Sequence, residues 1–333
     1  MKNLLAWLRR GHGIGIYAAC VVGFMVLVIL QGAVVRATGS GAGCGNHWPL
    51  CNGDFIPHHP RIATVIEFMH RSLTGIITGL VLGLIAWTFL ARPAGHRARR
   101  AVVCSGVLLI TEAALGALLV KGGYVEANAS LARILVQGIH FTNTMLLLAA
   151  ITLSWWWLRG GQIAAQPAAL DSKSRRIAWT ALLATLVVGA TGAVAALADT
   201  LFPSPDVITA LLQDINAHAP LLVRLRWVHP AAALAGLGCA MWLCLAPKPA
   251  LSSRIGRWLL TLIGLQILLG VGDVLLLAPT WMQVLHLLGA DLYWIALVAA
   301  CSGVFLPAHA TAPQSEFAAH PELQPASQPR AAA

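Results

Sequence analysis

The sequence predicts an all-α integral membrane protein: eight transmembrane helices forming two pseudo-twofold related four-helix bundles. Three observations carry that expectation. Hydrophobic residues make up 58 % of the 333 residues and charged residues only 10 %, where an average globular protein is about 25 % charged. Apolar runs near the ~20 residues that cross a bilayer as helix recur along the chain, and in lipid only a helix satisfies its own backbone polar groups within one segment. Short motifs also recur in the same order in both halves. Such a composition excludes a soluble globular enzyme and a disordered chain.

The apolar runs place spans near 13–35, 64–90, 101–120, 133–157, 177–198, 225–246, 257–277 and 283–306. The net charge of +10 is not gathered into one patch, which argues against nucleic-acid binding. Of the 22 Lys and Arg, 15 fall at the N-terminus, in the loops after the second, fourth and sixth spans, and in the tail. By the positive-inside rule both termini are expected in the cytoplasm. The chain then divides into 1–158, 174–306 and a tail, 307–333, whose Ala, Pro, Gln and His cannot build a core and which is expected to be a disordered cytoplasmic tail.

The repeat is visible at four places. Gly32-Ala-Val-Val returns as Gly192-Ala-Val-Ala, His70 as His229, Leu115-Gly116 as Leu269-Gly270, and Gln137-Gly-Ile-His140 as Gln283-Val-Leu-His286. The offsets fall smoothly through 160, 159, 154 and 146, as shorter loops in the second half would produce. An even number of spans separates the copies, so they share one topology about an axis along the membrane normal.

Of the 12 His, four lie within spans: His70, His140, His229 and His286. Each sits near the outer end of an even-numbered span, so the four rings reach a similar depth. One intramembrane His is readily a hydrogen-bonded packing residue; four at one depth point to function. Zinc wants three or four ligands on one small ion. Two His per bundle suit a planar macrocycle with axial ligands, and two bis-His heme sites are expected. Arg36, Arg71, Arg133, Arg224 and Arg226 lie at the level where propionates would emerge; alternatively they snorkel to the interface.

The halves differ beside these histidines. The first reads Glu67-Phe-Met-His70-Arg71, with the carboxyl on the same helix face as the imidazole. The second has Arg226 at that position. An acid beside one site points to proton-coupled chemistry in the first half, the alternative being a Glu67–Arg71 or Glu67–Arg36 pair. Cys44 and Cys51 share a Gly-rich outer loop, where disulfides persist, so they are expected to bridge; the alternative is two free thiols. The other five Cys lie in spans and are expected to pack as small core residues.

With these residues in view the chain resembles heme A synthase, over 13–306. The resemblance rests on the Cys44–Cys51 loop, on Glu-x-x-His-Arg at Glu67–Arg71, and on His140, His229 and His286. It implies a heme-dependent membrane oxidoreductase that converts a methyl of heme O to formyl, by successive hydroxylations and loss of water, for cytochrome oxidase assembly. It implies substrate heme between His70 and His140, heme b as cofactor between His229 and His286, and a catalytic role for Glu67. It further implies a bacterial plasma (inner) membrane, heme sites toward the outer face, heme O synthase and an electron donor as partners, surrounding lipid, and scope for a homo-oligomer. Some members carry a second Cys pair in the loop between the fifth and sixth spans; 199–224 has none here. A non-catalytic di-heme cytochrome b is the alternative function. A transporter is a weaker one, since no acid recurs at one position of both halves.

Overall fold

The structure is a computed structural model that describes residues 2–159, 172–245 and 253–302. Among the described residues the chain forms eleven α-helices in the order α1 (Lys2–Arg10), α2 (Ile14–Ala37), α3 (Ile62–Ala91), α4 (Arg97–Lys121), α5 (Leu131–Leu158), α6 (Ser172–Leu201), α7 (Val207–Ile215), α8 (Leu221–Arg224), α9 (Val228–Leu245), α10 (Ser253–Leu275) and α11 (Thr280–Ala300). Eight segments are long and apolar enough to cross a membrane: α2 to α6, Leu221–Leu245, Gly256–Leu275 and α11. The chain is a multi-pass helical membrane protein. The expected tail, 307–333, lies outside the described residues.

Two short helices, α1 and α7, have no counterpart among the expected spans, because the search was for runs long enough to cross lipid. The first is fastened to α3. Trp7 packs on Trp87 with centroids 5.3 Å apart, and Trp87 donates its indole N–H to the Leu8 carbonyl at 3.0 Å. The second is started by Asp206, whose side chain accepts the Thr209 N–H at 2.8 Å, an ordinary N-cap.

One span is broken. Helix α8 ends at Arg224 and α9 begins at Val228, one residue before His229. The following residue, Pro230, has no N–H to donate, and its ring would clash with the Arg226 carbonyl in a continuous helix. In the first turn of a fresh helix neither fault matters. The first half has Arg71 after its histidine, and α3 runs through unbroken.

Packing is closest between neighbours in the chain. Helix α4 lies on α5, α2 on α3 and α5, α6 on α9, and α10 on α11. Across the middle α5 meets α6, α2 meets α11, α5 meets α11, and α2 meets α6. Ile14, Val21, Leu147, Ile151, Ala181 and Leu297 belong to the buried cluster along this seam. Trp294 of α11 donates to the Met145 carbonyl of α5 at 2.8 Å. The outer faces are apolar, as lipid requires: Leu234 and Leu268 are 71 % and 72 % exposed. That corrects one expectation. Cys301 is buried, but Cys20 and Cys104 are exposed on the helix surface. In water a free thiol tends inward, whereas a lipid-facing position accepts it as a small apolar group.

Candidate functional site

The four intramembrane histidines sit in the second or third turn of α3, α5, the α8–α9 span and α11. Each meets a glycine on the neighbouring helix. A methyl group on Gly32 would lie 3.0 Å from His70 Cε1, and one on Gly192 would lie 2.9 Å from His229 Cε1. On Gly270 it would be 3.1 Å from His286 Cε1, and on Gly116 4.0 Å from His140 Cε1. The glycines are the ones that the repeat pairs, 32 with 192 and 116 with 270. A side chain at Gly32, Gly192 or Gly270 would press on its ring, whereas at Gly116 the contact would be an ordinary one.

The imidazole nitrogens differ in their partners. His70 Nδ1 and His140 Nδ1 are buried with no hydrogen-bond partner. His229 Nδ1 lies 3.2 Å from the Val188 carbonyl, and His286 Nδ1 lies 3.1 Å from the Gln266 amide. The His229 and His286 rings have centroids 6.3 Å apart at 79°. Among the described residues no three His, Cys, Asp or Glu converge as a metal cluster. Any group held by these imidazoles would meet them one or two at a time.

Cys44 and Cys51 form a disulfide with Cα atoms 4.4 Å apart. The loop they close rests on the start of α3. Cys44 donates its N–H to Glu67 Oε2 at 2.7 Å, and Thr64 donates to the Gly43 carbonyl at 2.7 Å. A side chain at Gly43 would collide with the Ala63 carbonyl. Glu67 Oε1 accepts the Arg71 guanidinium, so the Glu67–Arg71 pair is formed. Arg71 also donates to the carbonyls of His47 at 2.7 Å and Leu50 at 2.5 Å. Glu67 is only 3 % exposed. It joins the disulfide loop to the helix that carries His70.

The other arginines at this level have protein acceptors too. Arg36 reaches across the seam to the Ala196 carbonyl, Thr200 Oγ1 and Gln283 Oε1, all at 2.7 Å. Arg133 donates to the Glu126 and Asn128 carbonyls at 2.5 Å and 2.7 Å, and its buried Nε has no partner. Arg226 is clamped by Asp214 at 2.7 Å and Asp199 at 3.0 Å.

Three acids within spans, Glu112, Asp273 and Asp291, are not singled out by the sequence, and one of them lies beside a histidine. Glu112 of α4 accepts Asn143 Nδ2 at 2.6 Å and the Thr144 hydroxyl, and its Oε1 lies 3.6 Å from His140 Nδ1. The signal was available, since an acid in the middle of an apolar span is a functional hypothesis by default. The second half has span acids as well, Asp273 and the buried Asp291, at positions that do not correspond.

Between the halves lies an apolar cleft of about 820 Å³. It is lined by α4 and α5 on one side (Leu115, Ile139, Thr142) and by α6 and the α8–α9 span on the other (Thr191, Val194, Val228).

Comparison with known proteins places this arrangement. The COX15-CtaA family model, described as cytochrome oxidase assembly protein, matches residues 15–298. The chain is similar to protoheme IX farnesyltransferase of Thermus thermophilus, 43 % identical over 300 residues, which are 88 % of this chain and 48 % of that protein. It is similar to heme A synthase of Exiguobacterium sibiricum, 32 % identical over 182 residues, 54 % of this chain and 58 % of that protein. Heme A synthase of Bacillus pumilus is 39 % identical over 131 residues, 39 % of each chain. The chain spans about half the length of the curated relatives it matches.

Proposed function

Because the chain belongs to the COX15-CtaA family of cytochrome oxidase assembly proteins, we propose that it is a heme A synthase, a membrane oxidoreductase that turns one methyl of heme O into formyl. The observation that carries this reading is the matched set of intramembrane His–Gly pairs, Gly32 with His70, Gly116 with His140, Gly192 with His229 and Gly270 with His286. Relatives named heme A synthase support the substrate. The relative named protoheme IX farnesyltransferase joins protoheme to a farnesyl group in its name, which supports a heme O synthase as the supplier.

In this reading 1–158 is the substrate half and 174–306 the cofactor half. The seam contacts fit such a duplication: exchanging first for fifth span and fourth for eighth turns the α2–α11 contact into the α5–α6 contact. His229 and His286 are the ligands of heme b. These two rings, with centroids 6.3 Å apart, would hold the heme iron through their imidazole nitrogens. Bound there, heme b supplies one-electron transfer. His70 and His140 hold heme O, and the Nδ1 of each ring is buried without a hydrogen-bond partner.

Glu67 has two tasks. Its Oε2 holds the Cys44 amide, which keeps the disulfide loop closed over α3 and excludes water. Its charge, three residues from His70, steadies positive charge on the reacting substrate or takes a proton from it. Arg71 and Arg133 anchor propionates in the substrate half and Arg36 and Arg226 nearer the seam, each sharing the guanidinium with its protein acceptors. The buried Arg133 Nε is the one of these donors left over. Each of the two hydroxylations would consume one dioxygen with two electrons and two protons and release one water, which is why an electron donor is needed, and loss of water from the resulting gem-diol leaves the formyl group. The Lys and Arg distribution supports a bacterial plasma membrane location with both termini cytoplasmic and these sites toward the outer face.

The test is a reduced-minus-oxidised spectrum of the protein purified from iron-replete cells that also make heme O, with chromatography of the extracted hemes. Heme A together with a b-type heme is expected. Two b-type hemes and no formyl heme would mean an electron-carrying cytochrome b instead. A colourless protein would end both readings.

A further inference from the structure

The repeat aligns one more pair. At the offset of 154 that relates Leu115-Gly116 to Leu269-Gly270, Glu112 corresponds to Gln266. Each lies against the histidine of the next span. Glu112 Oε1 is 3.6 Å from His140 Nδ1, and Gln266 Nε2 is 3.1 Å from His286 Nδ1. The two side chains have the same length and shape. They differ by one atom and one negative charge.

Both are held firmly. The Glu112 carboxylate receives Asn143 Nδ2 at 2.6 Å and the Thr144 hydroxyl. Asn143 Oδ1 in turn accepts Thr111 Oγ1 at 2.8 Å, and Asn143 is 9 % exposed. Gln266 is fixed by donating to the His286 carbonyl at 3.1 Å and by lodging against Gly289, which has no side chain to obstruct it. His140 Nδ1 is buried and has no closer partner than the carboxylate.

We propose that Glu112 is a positioning residue for His140: its carboxylate faces Nδ1 of that imidazole and, by its charge, would orient the ring and make it a stronger donor in the substrate half. Gln266 at the equivalent place brings a neutral amide to His286, its Nε2 a donor 3.1 Å from Nδ1 and 3.3 Å from Nε2, so this ring has no anionic acceptor beside it. The inference rests on the heme reading above, and deepens it by separating the two sites electronically. A carboxylate on the far nitrogen fixes the tautomer of a ligating imidazole and raises its basicity. Greater donation stabilises the oxidised, more positive state of the iron. The same fold then offers two similar pockets with two different reduction potentials, set by one atom on equivalent helices. The 3.6 Å separation is an ion-pair distance, beyond a hydrogen bond, and the charge acts on the ring across it.

The experiment is a spectroelectrochemical titration of the full-length protein purified with its hemes, in wild type, Glu112→Gln and Gln266→Glu. Wild type should resolve two components of different potential. In Glu112→Gln the lower component moves upward and the other stays. In Gln266→Glu the higher component moves downward and the other stays. Both components bound and unmoved in Glu112→Gln would overturn the proposal. Should Glu112→Gln lose one heme, Gln266→Glu decides, since an unmoved potential there overturns it as well. Wild-type protein without any heme absorption overturns the heme reading itself, an outcome separable from the others.

Discussion

Arg36, in the last turn of α2, donates to Gln283 Oε1 of α11 at 2.7 Å while its other terminal nitrogen holds Thr200 and the Ala196 carbonyl of α6. One guanidinium thus fastens the first span to two helices of the other half. Replacing it by Met leaves Gln283 Oε1 without a donor and removes the charged donor from Thr200 Oγ1 and from the Ala196 carbonyl, which keeps the Thr200 hydroxyl. A hydrogen bond to a charged group contributes about 1.5–3 kcal/mol, so Arg36→Met should lower stability by at least that much. Arg36→Lys should recover only part of it, because a point ammonium cannot match a fork of five donors. Thermal unfolding in detergent measures both; a Met variant as stable as wild type would show the bridge to be idle.

Gly192 and Gly32 should tolerate a methyl group badly and selectively. The added carbon would lie 2.9 Å from His229 Cε1 in one case and 3.0 Å from His70 Cε1 in the other. Overpacking of this kind costs about 1–3 kcal/mol, little for the whole fold but enough to turn an imidazole away. Gly192→Ala should deplete the b-type heme and Gly32→Ala the substrate heme. Extracted-heme ratios read the difference, and equal losses in the two variants would contradict it.

Glu67→Gln keeps the shape of the side chain and an acceptor for the Cys44 N–H but removes its charge. The b-type heme should remain at wild-type content, and formyl heme should fall at least tenfold. Chromatography of the extracted hemes is the measurement. An undiminished heme A yield would leave Glu67 as a loop anchor only.

His96 caps α4 by accepting the Ala98 N–H at 3.2 Å. Burial, then the neighbouring Arg92, Arg97 and Arg99, hold its pKa below the ordinary 6.5. The folded protein therefore binds this proton less readily than the unfolded chain. The stabilisation is complete above about pH 6.5 and is lost as pH falls through the lowered value. It is a fraction of the ~1 kcal/mol typical of an N-cap, since solvent screens a half-exposed group. His96→Asn keeps a capping acceptor that does not titrate. Unfolding temperatures at pH 5 and 7 should converge in that variant; an unchanged gap would assign the pH dependence elsewhere.

Span count and the four histidines were legible because each depends on one strong signal, an apolar run or an ionisable group inside it. The Cys44–Cys51 bridge was legible from proximity in the chain. The partners of Arg36 were not, for they lie 160 to 247 positions away. Neither were α1 and α7, which are too short to cross lipid and are held by distant residues, α1 by Trp87 and α7 by Arg226. The interruption before His229 was readable from Pro230 alone. Glu112 shows a different failure. Its relation to His140 crosses two helices, and only the register of the repeat brings it beside Gln266.

The cleft between α5 and α6 is lined by residues of segments long and apolar enough to cross a membrane, so in a bilayer it would open to the hydrocarbon. Whatever fills it is drawn from a two-dimensional pool, so occupancy follows mole fraction in the bilayer and is indifferent to solubility in water. A very insoluble guest would find its way in by sliding along the plane, never having to shed or regain a hydration shell.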